Sequence, residues 1–193
     1  MNSEPIKILL VEDNPGDARL IREMLTEVQN TSSHCEFADR LSTGLERLAE
    51  GGIDVVLLDL SLPDSHGLNT LERVHAHAPE VPIVVMTGFD NEMLGVKAVK
   101  EGAQDYLVKG QVDSYLLMHA IRYAIERQRV QIALRESEER YALAVGGAND
   151  GLWDWKLETN VIYLSPRWKF LLGYGENEIG NSPEEWFNRI HPY

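Results

Sequence analysis

The strongest constraint on this chain is a repeated alternation between Ile6 and Val108, in which short apolar runs are separated by longer amphipathic stretches. The runs Ile6–Val11, Val55–Leu58 and Ile83–Met86 are continuous rather than alternating, as buried strands are. Cys35–Ala38 and Tyr106–Val108 are weaker runs of the same kind. Between them lie helical signals. Asn14-Pro15 offers an N-cap followed by proline at the first helical position, and Leu20, Ile21, Met24, Leu25 and Val28 follow at helical spacing. Leu41–Glu50 ends at Gly51-Gly52, Leu68–Ala78 stops at Pro79, and Glu92–Glu101 ends at Gly102. Five strands alternating with helices predict a parallel sheet covered on both faces.

Two strand orders are common for such a doubly wound sheet. A Rossmann order usually carries a G-x-G-x-x-G turn after its first strand, and here that turn reads Glu12-Asp13-Asn14-Pro15-Gly16-Asp17. The flavodoxin-like order 2-1-3-4-5 remains. In it, strands 1, 3, 4 and 5 are neighbours, and their carboxyl ends carry Glu12 and Asp13, Asp59, Thr87 and Lys109. These five side chains are expected on one rim, where ligands bind in such folds. Three crowded carboxylates repel one another unless a cation sits among them, and Mg2+ suits oxygen ligands. A hydroxyl and an ammonium opposite complete a cradle for a tetrahedral anion. A carboxylate can attack phosphorus, and Asp59, central in the set, is the expected nucleophile.

The runs ILLVED (Ile8–Asp13), DLSLPDSHG (Asp59–Gly67), Met86-Thr87-Gly88 and GAQDYLVK (Gly102–Lys109) together resemble the receiver domain of bacterial two-component response regulators, over about residues 5–127. The resemblance implies phosphotransfer from a histidine kinase to Asp59, with Glu12, Asp13, Asp59 and the backbone carbonyl of Ser61 holding Mg2+. It implies that Thr87 and Lys109 contact the phosphoryl group, and that Tyr106 turns inward with Thr87 on activation. One departure is Gly110, where the family usually has proline after the lysine. Plain core packing is an alternative for Tyr106, and helix capping for Asp13 or Asp17 taken alone. Phosphatases of the haloacid dehalogenase type need a second acid two residues after the nucleophile. Ser61 stands there instead, so a turnover enzyme is not expected.

Composition sets limits on partners and compartment. Acids outnumber bases 31 to 18, a net charge of −13, so these residues are expected to bind no nucleic acid. No apolar run approaches the roughly 18 residues that cross a bilayer, so no membrane association is expected. The one cysteine, Cys35, suits a reducing cytoplasm and is expected as a small buried residue. His75 and His77 point apart on their helix, and His66, His119 and His191 are expected at the surface.

The chain changes character near Tyr141. All four tryptophans (Trp153, Trp155, Trp168, Trp186) and ten of the fifteen aromatics fall at or after it. From Ser114 to Arg140 there is neither Pro nor Gly, which predicts one long helix. Leu117, Ile121, Ala124 and Ile125 suit the sheet. Met118, Ile121, Ile125, Gln128 and Ile132 also keep a 3-4 spacing that suggests a parallel coiled coil and hence a homodimer. Gly151–Leu157 and Val161–Leu164 predict a hairpin, Pro166–Leu172 a short helix, and Ser182-Pro183-Glu184-Glu185 the start of another. The runs ANDGLWDW, SPRWKFLLGY and EEWFNRIHP resemble the opening half of a PAS domain, a sensory and dimerisation fold, over about residues 137–193. Trp153, Trp155, Tyr163 and Trp168 read as its core packing.

The sequence thus predicts a receiver (1–127), an extended signalling helix (114–140) and a partial PAS segment (141–193). A histidine kinase or phosphotransfer protein is the expected donor. The PAS-like stretch most resembles those preceding cyclic-di-GMP cyclase and phosphodiesterase domains, with a sensor or hybrid histidine kinase as the alternative output. A scaffold without phosphorylation is the competing class.

Overall fold

The computed structural model of the chain describes residues 4–28, 32–88, 92–148 and 151–188. They divide into two compact units, 1–133 and 134–193. In the first, strands β1 (Ile6–Val11), β2 (Ser33–Ala38), β3 (Val55–Asp59), β6 (Ile83–Thr87) and β7 (Asp105–Val108) form a parallel sheet in the order β2-β1-β3-β6-β7. This is the flavodoxin-like order. β4 (Ser61–Leu62) and β5 (Ser65–His66) pair antiparallel between β3 and the next helix. Every residue of β3 and β6 is buried, which is why their sequences are apolar without alternation.

Successive side chains of a strand face opposite sides, and two cores result. Ile8, Leu10, Leu57 and Met86 pack with α1 (Pro15–Glu27) and α5 (Ser114–Ala148) through Ile21, Leu25, Leu117 and Ile121. Leu9, Val11, Val56 and Leu58 pack on the other face with α2 (Leu41–Ala49), α3 (Leu68–His77) and α4 (Glu92–Lys100) through Leu41, Leu48, Leu71, Val74 and Ala98. Cys35 is half-buried on the first face. Its thiol is pushed up to about 11, chiefly by burial.

One finding adds to the sequence reading and two differ from it. First, α2 has no cap of its own at Arg40; Asp64, in the turn between β4 and β5, accepts from the backbone N–H groups of Leu41 and Ser42 at 2.9 Å each. Second, α5 runs past Arg140 to Ala148. Third, the expected coiled-coil seam is not free at its start. Met118, Ile121 and Ile125 are buried in the first core. Gln128 is tied down, its side chain accepting from Gln104 Nε2 (2.9 Å) and donating to the Pro79 carbonyl (3.2 Å). A 3-4 apolar spacing marks a face that is covered, and it is the sheet that covers this one.

The second unit contains β8 (Trp153–Lys156) and β9 (Val161–Leu164), an antiparallel hairpin, with α6 (Pro166–Leu171) and α7 (Pro183–Phe187). Its buried apolar core is Ile162, Leu164 and Ile179. Trp153 and Tyr163 are exposed, whereas Trp155 and Trp168 pack against the core. The Lys169 ammonium is buried and donates to the carbonyls of Glu176 (2.7 Å) and Ile179 (2.8 Å). His191, Tyr193 and the side chain of Trp186 lie outside the described residues. Among the described residues, no helix is long and apolar enough to cross a membrane.

Candidate functional site

The site lies at the carboxyl edge of the five-stranded sheet. Glu12 follows β1, Asp59 ends β3, Thr87 ends β6 and Lys109 follows β7. Pairing of β3 with β6 sets Asp59 opposite Met86, and pairing of β6 with β7 sets Thr87 opposite Val108. The register therefore brings four distant segments to one rim. The Lys109 backbone N–H donates to the Thr87 carbonyl at 2.7 Å, extending that pairing by one residue.

Carboxylate oxygens of Glu12, Asp13 and Asp59 all lie within 4.8 Å of one another. Glu12 is 0% exposed, Asp59 8% and Thr87 2%, while Asp13 is open to solvent. Lys109 Nζ reaches into the group, 2.5 Å from Glu12 Oε2 and 2.5 Å from Asp59 Oδ2. Burial, with the charge of Asp59 adding to it, pushes the Glu12 carboxyl up to about 7 despite the opposing pull of Lys109. Burial would lower the Lys109 ammonium, but its contacts with Asp59 and Glu12 outweigh this and hold it above the ordinary lysine range. Asp59 Oδ1 accepts from the Ser61 backbone N–H at 2.8 Å, which leaves Oδ2 facing Lys109. The Thr87 hydroxyl makes a long contact, 3.5 Å, to the Leu107 carbonyl.

The Response regulator receiver domain profile matches residues 8–122, more than half of the chain. The chain belongs to the response regulator receiver family. It is 27% identical over 182 residues to the transcriptional regulatory protein ZraR of Klebsiella oxytoca, covering 93% of this chain and 39% of that protein. It is 36% identical over 103 residues to the regulatory protein LuxO of Vibrio cholerae, covering 52% of this chain and 21% of that protein. Among solved structures, a receiver domain from Clostridium thermocellum superposes with a TM-score of 0.57 at 28% identity, covering 65% of this chain and 98% of the other. The signal receiver domain of an HD domain-containing protein from Pseudomonas fluorescens Pf-5 gives 0.58 at 28%, covering 69% and 96%. The chain thus spans well under half the length of these curated relatives.

Receiver domains accept phosphate from histidine kinases or phosphotransfer proteins and bind Mg2+ at an acidic pocket. Of the residues read from this receiver's sequence, Glu12, Asp13, Asp59, Thr87 and Lys109 meet at the rim, and Ser61 adjoins it through its backbone. Tyr106 is half-buried in the core packed with α4. Its ring lies over Gly95, where a Cβ would come within 2.4 Å of Tyr106 Cδ2, so only glycine leaves room for it there. Gly110 holds φ +81°, a conformation closed to proline.

Two residues of this region are not among the site residues expected from sequence. Asp64 caps α2 from the loop that follows Asp59. Asp17, in the first turn of α1, places Oδ2 3.1 Å from Lys109 Nζ. In the sequence Asp17 is only an acid near a helix start, 92 positions from its partner. No local pattern marks that contact.

Proposed function

We propose that Asp59 is the phosphoacceptor of a two-component relay. The observation that carries this is the meeting of Glu12, Asp13, Asp59, Thr87 and Lys109 on one sheet edge of a receiver-family chain. In the transfer step an Asp59 carboxylate oxygen attacks the phosphorus of a phosphohistidine. A P–O bond forms, the P–N bond breaks, and the imidazole leaves with the bonding electron pair and takes up a proton. Lys109 passes from Asp59 Oδ2 to a phosphoryl oxygen, and the Thr87 hydroxyl donates to another.

The donor set fits a hard divalent cation. Among the described residues, Glu12 Oε2 is a fully buried carboxylate oxygen without a well-aligned hydrogen bond, held by the Lys109 ion pair, and all the candidate side-chain ligands are oxygens. Glu12, Asp13, Asp59 and the Ser61 backbone carbonyl would hold Mg2+, which when bound offsets charge on the transferred group. Tyr106 follows Thr87 as the conformational reporter, carrying the change to the face formed by α4, β7 and α5.

The remaining readings concern what receives that change. Residues 141–193 are read as a partial PAS segment, 1–127 as the receiver and 114–140 as the signalling helix, all in the cytoplasm. The PAS resemblance supports cyclic-di-GMP synthesis or hydrolysis as the output. The relatives named as transcriptional regulatory proteins support transcription control instead, so the absence of nucleic-acid contacts is proposed for these residues alone. A homodimer is proposed through α5, along its exposed residues Tyr123 and Val130, which lie seven apart on one stripe of the helix. Replacing Tyr123 and Val130 with Asp gives monomers by sedimentation if that stripe is the seam.

The test of the phosphoacceptor is intact-mass spectrometry after incubation with acetyl phosphate. The expected result is one added phosphoryl group with Mg2+, none with chelator, and none in Asp59→Asn. Stoichiometric labelling of Asp59→Asn would remove the assignment.

A further inference from the structure

A lysine ammonium has three donors, and Lys109 Nζ meets three carboxylates: Glu12, Asp59 and Asp17. The first two belong to the acidic rim already described. Asp17 does not. Its carboxylate lies outside the group formed by Glu12, Asp13 and Asp59, and it comes from the first turn of α1. That turn is firmly set. Asn14 caps it by accepting from the backbone N–H groups of Gly16 (2.9 Å) and Asp17 (3.4 Å), and Pro15 fixes the first helical residue.

The backbone of Lys109 is held by its bond to the Thr87 carbonyl and by the turn that Gln111 closes on Val108, so what remains to be placed is the side chain. The next residue, Gly110, holds φ +81°, so no ring or side chain constrains the backbone there. Asp17, Lys109 and Gly110 line a narrow gap between α1 and this loop, together with Leu20, Met24 and Val112. The ion pair of Asp17 with Lys109 is the polar link across it.

We propose that Asp17 is a positioning residue for Lys109, tethering its ammonium to α1 while the opposite contact passes from Asp59 to the phosphoryl group. Glu12 and Asp59 both face the reacting atoms, and the Asp59 contact is lost when that carboxylate is esterified. Asp17 is the partner that stays unchanged through the step, on an element separate from the strands that bear the reacting groups. A lysine without it has more of the rotamer freedom of its four-carbon stem, and spends less time where the phosphoryl oxygen arrives. The inference rests on the reading that Lys109 contacts the phosphoryl group.

The experiment is a double-mutant cycle on the initial rate of phosphorylation of the full chain by acetyl phosphate with saturating Mg2+. The variants are Asp17→Asn, Asp17→Glu, Lys109→Ala and the double variant Asp17→Asn with Lys109→Ala. A charge-assisted contact of this partial exposure is worth at most about fivefold in rate, so Asp17→Asn is expected to slow labelling about threefold to fivefold. Asp17→Glu restores part of the rate, and Asp17→Asn has no further effect once Lys109 is Ala. Mg2+ affinity measured by titration calorimetry stays within about twofold of the parent in Asp17→Asn, since Asp17 is outside the proposed ligand set. If Lys109→Ala labels at the parent rate, the reading of Lys109 fails and the inference with it. If Lys109→Ala is slow while Asp17→Asn labels at the parent rate, or if the two effects multiply in the double variant, Lys109 keeps its role and the tether is overturned.

Discussion

The two units of this chain treat similar amounts of local order very differently. In residues 1–133 a five-stranded sheet is covered on both faces, and residues such as Leu10, Leu57 and Leu58 are removed from water completely. In residues 134–193 a two-stranded hairpin and two short helices have, among the described residues, a buried apolar cluster of just Ile162, Leu164 and Ile179. They leave an open hollow of about 280 Å3 lined by Trp153, Trp155, Trp168 and Phe187 among others. Good local signals, such as the Ser165 cap and Pro166 at the start of α6, are present in both. What separates the units is layer coverage: an isolated two-stranded hairpin is marginal in water, and a sheet with helices on both faces is not.

The largest expected effect tests this contrast in the cores themselves. Leu57→Ala removes a fully buried side chain from the central strand and should destabilise the receiver by about 3 kcal/mol. Ile162→Ala, also buried, should leave the receiver's urea transition unmoved. A shift of that transition by Ile162→Ala would show that the units unfold as one.

The next effect, about 2 kcal/mol, belongs to the acidic rim, where charge burial rather than packing sets stability. Glu12 has a folded pKa of about 7 against an ordinary 4.5, so between these values the folded state binds more protons than the unfolded. Stability from this group is therefore present at pH 4.5 and below, and is lost as pH rises towards 7. Urea melts should show Glu12→Gln more stable than the parent at pH 8 and similar to it at pH 5. Equal gains at both pH values would break the account. Mg2+ should raise the parent's stability at pH 8 by mass action, and Glu12→Gln should blunt that gain.

A smaller effect concerns the link between the rim and α2. Asp64→Ala removes the acceptor for two helix N–H groups and should cost about 1 kcal/mol, with Asp64→Asn milder. Thermal melts that leave Asp64→Ala unchanged would argue against the cap.

Much of this was legible in the sequence because the receiver's constraints are local and repeated. Continuous apolar runs at Val55–Leu58 and Ile83–Met86 can only be central parallel strands here, and the polar residue ending each run lands on the rim. The less legible parts depend on partners far away in sequence. Ile121 and Ile125 keep a spacing that a sheet or a second helix would satisfy equally, and the sheet takes them. Arg40 gives no sign that α2 is capped from Asp64, nor does Asp17 that it meets Lys109. The expected boundary near Arg140 rests on the change in composition at Tyr141, and the helix runs on through Gly146 and Gly147 despite their low helix propensity.

The central claim is that phosphate enters at Asp59 and at no other acid of the rim. Borohydride reduces an aspartyl phosphate to homoserine, which peptide mass mapping locates to a single residue. After labelling with acetyl phosphate and Mg2+, the account predicts homoserine at position 59 alone. Homoserine at Glu12's neighbour Asp13, at Asp17 or at Asp64, with Asp59 intact, would contradict it.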